Sequence, residues 1–228
     1  MSTVCSRSES QPHADQKTLA ADQTRVSSDD QHHSDTAQAR HATPSYPCPV
    51  LGFVAYSGTG KTTLLRQLLP LLKQRGLRIG VVKHAHHSFD IDTPGKDSYE
   101  LRKAGADRML IGSRKRFALM VEHDDGAEPD LHGLLAEIGT SELDLVLVEG
   151  FKHEPYDKIE LHRRQLDRPL LFPHDPHVIA IASDAPVTEA GTLPRLDLNS
   201  PIEIAEFVMH YSARWRTASD TAREEQQT

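Results

Sequence analysis

VLGFVAYSGTGKTTLL, residues 50–65, is the stretch from which the architecture can be read. An apolar run from Val50 to Ala55 enters a turn containing Gly58 and Gly60, and a leucine-rich helical pattern follows. Strand, glycine turn and helix, in that order, are the setting a phosphate-binding P-loop requires. Gly58 and Gly60 let the backbone wrap so that successive N–H groups point at one phosphate. Lys61 can reach the outer phosphates, and Thr62 can set its hydroxyl on Mg²⁺. The helix adds its positive N-terminal end. The usual first glycine of the motif is Ala55 here, a small residue that looser versions accept. The expectation is a nucleotide-binding chain.

Downstream, Leu64, Leu65, Leu68, Leu69 and Leu72 recur at helical spacing. Pro70 falls inside that pattern and is expected to kink it, and Gly76 suits the C-cap. Residues 77–82 read as a second strand, ending at Lys83-His84, before a polar loop over 85–96. Asp97-Ser-Tyr-Glu100 matches a capping box with Asp97 as N-cap of a short helix to about Gly105. Residues 109–112 and 117–122 are strand-like, and 131–138 helix-like. The branched apolar run 143–148 has the character of a central parallel strand. Residues 159–162 and 178–182 are further strands, and Ser200-Pro-Ile-Glu203 opens a final helix through about Tyr211. The pattern predicts an α/β fold with a doubly wound, mostly parallel sheet, and ligands at the carboxyl ends of its strands.

Composition narrows the class. With 26 basic residues against 33 acidic ones, the formal charge of −7 supplies no basic field for nucleic acid. No apolar run is long enough to span a bilayer, and the N-terminus lacks a secretory core, so a cytoplasmic protein is expected. The two cysteines, Cys5 and Cys48, both precede the loop and offer neither a disulfide framework nor a CxxC zinc site. Residues 1–47 are polar and almost devoid of large apolar side chains, and are expected to be a disordered leader. Residues 217–228 are expected to be a disordered tail, leaving 48–216 as the nucleotide-binding domain.

Glu149 follows the run 143–148 and precedes Gly150, so it should lie beside the loop and hold Mg²⁺ directly or through water. KHAHHSFDIDTPGKDS, residues 83–98, is dense in phosphate- and metal-binding groups. His84, His86 and His87 could ligate a transition metal, or simply line a polar loop. Asp97 has a second reading as an Mg²⁺ ligand, and Asp92 is equally ambiguous. Lys83 and Lys152, just past strand ends, could face phosphates. Asp184 closes IASD at a late strand end. A carboxylate there can accept the N1–H and 2-amino hydrogens of guanine, a pattern adenine cannot offer. The familiar guanine motif sets Asn or Thr, then Lys, then any residue, before its Asp. Ile181 and Ala182 occupy the first two positions, so only the aspartate remains.

AYSGTGKTTLL, VVKHAHHSFDIDTPGKDSYELRKAGADR, LDLVLVEGFKHE and VIAIASD, in that order, resemble the molybdopterin-guanine dinucleotide biosynthesis adaptor protein B family. The resemblance covers roughly residues 49–210. It implies a P-loop GTPase of the class that includes nickel-insertase and signal-recognition-particle GTPases, with weak GTPase activity. The implied partners are a molybdopterin guanylyltransferase, which joins GMP to molybdopterin, a second copy in a homodimer, and molybdopterin itself. The implied cofactors are GTP and Mg²⁺. Carried onto this chain, Gly58, Thr59, Gly60, Lys61, Thr62 and Thr63 hold the phosphates, while Thr62 with Glu149 or Asp97 organises Mg²⁺. The loop after the second strand and residues 151–154 are expected to face the dimer or the partner enzyme. Two other readings share the loop chemistry, a metal-insertion GTPase using the histidine segment and a small-molecule kinase.

Overall fold

The computed structural model describes residues 46–85, 89–123 and 126–225. The chain runs through β1 (Val50–Val54), α1 (Lys61–Gln74), β2 (Ile79–Lys83), α2 (Asp97–Lys103), β3 (Arg108–Gly112) and β4 (Phe117–Val121). It continues through α3 (Leu131–Glu137), β5 (Leu145–Glu149), β6 (Lys158–His162), β7 (Val178–Ser183), β8 (Arg195–Asp197) and α4 (Pro201–Glu225). Six of the strands form one parallel sheet in the order β2-β5-β1-β6-β7-β8.

The period-2 alternation of β1 and β5 sends side chains to two different cores. Leu51, Phe53, Leu145 and Leu147 meet Leu64, Leu65, Leu68 and Leu72 of α1 and Ile204, Ala205 and Val208 of α4. Val50, Val146 and Val148 face the other way, onto Leu131 and Leu135 of α3. Helices on both faces of a parallel sheet make the doubly wound α/β fold expected from the sequence. Each buried leucine of α1 contributes up to about 2 kcal/mol of transfer free energy, which seats the helix that starts at the glycine turn.

The ends of α1 are built from the sequence signals. Gly76 has φ +88, its N–H donates to the Lys73 carbonyl (3.0 Å), and Leu77 donates to Leu72 (3.4 Å). Those two bonds are a Schellman closure, which needs the left-handed backbone that glycine adopts without strain. At the start of α4, Ser200 Oγ accepts from the Glu203 N–H at 3.4 Å, with Pro201 as the first helical residue. The other capping box fails. The N-cap of α2 is Lys96, and Asp97 is the first helical residue with no side-chain cap bond. Asp130, which the sequence reading passed over, caps α3 by accepting from the N–H groups of His132 and Gly133.

Four further differences matter. β3 and β4 form an antiparallel pair in a sheet of their own rather than joining the main one. That hairpin leaves Phe117 75% and Leu110 63% exposed. β8, three residues at the sheet edge, had no sequence signal. Helix α4 continues to Glu225, well past Tyr211, so residues 217–225 are helical where a disordered tail was expected. The expected leader lies outside the described residues up to position 45, and Tyr46, its penultimate residue, packs against the α3-side core.

Candidate functional site

The C-terminal ends of β1, β5 and β2 lie side by side. The sheet register places Glu149 opposite both Phe53 of β1 and Lys83 of β2. The turn leaving β1 passes through Gly58 (φ +84) and Gly60 (φ +99), positions where a Cβ would be strained, and Gly60 is the left-handed N-cap of α1. The first helical bond runs from the Leu64 N–H to the Gly60 carbonyl. The N–H groups of Lys61, Thr62 and Thr63 therefore have no intrahelical acceptor and point from the helix end toward whatever sits in the turn. Thr59 is almost wholly buried, its hydroxyl donating to the Tyr56 carbonyl at 2.8 Å. That bond ties the turn shut from inside.

Lys61, Thr62 and Glu149 converge on this turn, with Lys83 against Glu149. Lys61 Nζ curls back to the Ala55 carbonyl at 3.5 Å. Burial pushes the Lys61 ammonium below the usual lysine range, the Glu149 carboxylate opposes that shift, and Lys83 adds to it. A desolvated cation beside another cation is a group that an incoming anion relieves. Thr62 Oγ1 donates to Glu149 Oε1 at 3.4 Å, and Lys83 Nζ lies 3.5 Å from Glu149 Oε2. The Glu149 side chain is only 14% exposed. The arrangement is a cradle of backbone N–H groups, one lysine over it, and a hydroxyl–carboxylate pair at its edge.

The turn after β5 is held tightly. Gly150 has φ +108, and a Cβ there would lie 2.5 Å from the Cβ of His84. The Tyr156 hydroxyl donates to the Gly150 carbonyl at 2.7 Å. Its ring lies against Gly52 of β1, where a Cβ would come within 2.5 Å of it. Phe151 adopts φ +51 and is buried, with its ring stacked on His84 at 4.7 Å. Phe151 thus points inward, whereas Lys152 and His153 in the same segment are exposed.

Other expected residues fall elsewhere. Asp97 is exposed on the first turn of α2, and no hydrogen bond or ion pair among the described residues joins it to Lys61, Thr62 or Glu149. Asp92 is used locally, with Oδ1 accepting from the Thr93 N–H and the Ser98 hydroxyl. His84 Nε2 pairs with Glu128 at 2.9 Å, while His86 and His87 lie outside the described residues. Among the described residues no group of three or more His, Cys, Asp or Glu could hold a metal ion. Asp184, at the end of β7, accepts from the Arg164 N–H at 3.0 Å and from Arg163 Nη1 at 3.3 Å. The Arg164 N–H, more than the Arg163 guanidinium, holds its carboxyl below the usual range against the opposing effect of burial. Arg163 was missed in the sequence; its position one residue past β6, at the ligand-bearing edge of the sheet, was the available signal.

Residues 50–184 match the family model described as Molybdopterin guanine dinucleotide synthesis protein B. The molybdopterin-guanine dinucleotide biosynthesis adapter protein of Escherichia coli (strain K12) is 52% identical over 164 residues, spanning 72% of this chain and 93% of that one. The protein of the same name from Haemophilus influenzae is 41% identical over 164 residues, spanning 72% and 89%. Among solved structures, Bacillus subtilis MobB superposes with a TM-score of 0.58 at 28% identity, over 72% of this chain and 97% of that chain.

Proposed function

The chain belongs to the molybdopterin guanine dinucleotide synthesis protein B family, and from that premise we propose that it is a GTP-binding adapter in molybdenum cofactor biosynthesis. Its work is to assist a molybdopterin guanylyltransferase in attaching GMP to molybdopterin. One observation carries the nucleotide part: the turn that opens α1 has Lys61 over it and Glu149 within hydrogen-bond reach of Thr62. The phosphates lie on the N–H groups of residues 58–63, and Lys61 exchanges the Ala55 carbonyl for a phosphate oxygen. Thr62 and Glu149 are hard oxygen donors, the donor set Mg²⁺ prefers, with phosphate and water completing the shell. Bound there, Mg²⁺ neutralises phosphate charge. Glu149 is engaged by Thr62 and Lys83, and we assign the chain slow turnover until a partner completes the site.

The exposed apolar hairpin of β3 and β4 is the surface we assign to the homodimer, since an isolated two-stranded sheet is marginal in water without cover. No helix among the described residues is long and apolar enough to cross a membrane; the setting we assign is cytoplasmic. The test is Lys61→Ala. It should reduce Mg²⁺–GTP affinity at least about a hundredfold, the loss of a charge-assisted contact to each of two phosphates, with the circular dichroism spectrum unchanged. Unaltered affinity in a folded variant would remove the loop from the account.

A further inference from the structure

Arg163 leaves β6 at the carboxyl edge of the sheet, yet its side chain folds back over neighbouring strand ends. Nε donates to the Thr59 carbonyl at 2.8 Å. Nη1 reaches Asp184 Oδ2 at 3.3 Å and Asn199 Oδ1 at 3.4 Å. Nη2 lies 3.8 Å from where a Cβ on Gly60 would stand. One guanidinium therefore joins the glycine turn after β1, the end of β7 and the segment between β8 and α4. In the sheet order the last two lie on the β6 side of β1, whereas Glu149 and Lys83 occupy the β5 side. A nucleotide with its phosphates on the turn must extend its base toward one side or the other. The β5 side carries the Glu149–Lys83 pair, and the β6 side carries the arginine and the aspartate.

The chemistry on that side is selective. A carboxylate offers about four lone-pair positions. Asp184 uses one on each oxygen, for the Arg164 N–H and for Arg163. The N1/N2 edge of guanine brings two donors, one for each carboxylate oxygen. Adenine presents a lone pair at N1 and no amino group at C2, so it meets the carboxylate with repulsion. The cation that the familiar guanine motif would place two residues before its aspartate is missing, because Ala182 stands there. Arg163 supplies a cation from the adjacent strand, and its planar face is one on which an aromatic ring stacks.

We propose that Arg163 is a base-positioning residue of this site, completing the guanine reading expected of Asp184, whose carboxylate accepts from the N1–H and 2-amino group. Arg163 holds that carboxylate in register with the phosphate turn and provides a stacking face for the purine. The proposal rests on the reading that the turn binds a nucleoside triphosphate.

The experiment is calorimetric titration of the full chain, with Mg²⁺, against tripolyphosphate, GTP, ITP, XTP and ATP. The wild type should bind GTP about a hundredfold more tightly than ATP and about tenfold more tightly than ITP, which lacks the 2-amino group. Asp184→Asn should lose GTP and gain XTP, because the asparagine amide donates to the 2-carbonyl of xanthine. That gain cannot come from misfolding. Arg163→Ala should lower the GTP-to-ATP ratio about tenfold, and Arg163→Lys should restore part of it. Equal losses for GTP and ATP in Arg163→Ala would reduce the residue to a support for the turn and overturn the proposal. Tripolyphosphate binding without purine preference would overturn it and leave the phosphate site standing. Binding of none of the five would remove the phosphate site, and the proposal with it.

Discussion

Gly150→Ala tests the joint between β5 and β2 on which the edge of the site depends. Two penalties are visible. The backbone at φ +108 is one an L-residue adopts with strain, about 1–2 kcal/mol. The new Cβ would also stand 2.5 Å from the His84 Cβ, and relieving that overlap costs about 1–3 kcal/mol more. The sum is about 2–5 kcal/mol, a fall in Tm on the order of 10 °C for a domain of this size. Gly139→Ala is the control: φ is +71 but nothing lies within 4 Å, so strain alone applies, about 1–2 kcal/mol. Urea denaturation of both variants separates the two terms. Pushing His84 away must also disturb Lys83 and Glu149 beside it, since the His84 N–H bonds the Glu149 carbonyl at 2.8 Å. The Mg²⁺-dependent part of GTP affinity should therefore fall more in Gly150→Ala than in Gly139→Ala. If the two variants lose equal stability and equal affinity, the close approach of Gly150 to His84 does not position the site.

Three further perturbations have defined outcomes. Lys158 is 1% exposed and ion-paired with Asp175 at 2.7 Å, so Asp175→Ala leaves a buried cation unpaired and should cost about 3–5 kcal/mol in chemical denaturation. Asp144 accepts from the Arg78 N–H at 2.8 Å, and that bond, against opposing burial, lowers its pKa. A lowered carboxylate gives stability in full above its ordinary value of 3.8 and loses it as pH falls through the folded value. Asp144→Asn should therefore flatten the acid limb of the stability curve while leaving the alkaline limb unchanged. Finally, Leu110→Ser with Phe117→Ser, both on the exposed hairpin, should convert a dimer to a monomer in light scattering. A dimer of undiminished affinity would move the interface elsewhere.

The parts of the fold readable in the sequence were those written in a single local rule. The glycine turn needs left-handed backbone, and Gly58 and Gly60 supply it. The run ending in Glu149 is buried on both faces, so it had no polar alternation to confuse it. Gly76 closes α1 because no other residue does so as cheaply. What escaped depended on distant partners or on competing local rules. Asp97 fitted a capping box by spacing, but the chain enters α2 one residue earlier, at Lys96. Residues 217–225 looked like a tail for lack of large apolar groups, yet they are rich in Ala, Arg and Glu, which favour helix once α4 has begun. Phe151 lies in a segment expected to face a partner, and its inward ring, stacked on His84, followed from a positive φ that its sequence did not announce. Arg163 sits in the polar run HRRQLDRP, which reads as an ordinary loop. Its importance follows only from the strand order that brings Thr59, Asp184 and Asn199 to it.

We propose that this chain serves dinucleotide formation through GTP held at its glycine turn. The direct measurement is the rate at which a molybdopterin guanylyltransferase forms molybdopterin guanine dinucleotide at limiting GTP, alone, with this chain, and with its Lys61→Ala variant. Acceleration by the wild type, absent with the variant, is the predicted result. No acceleration, or equal acceleration by both, would contradict it.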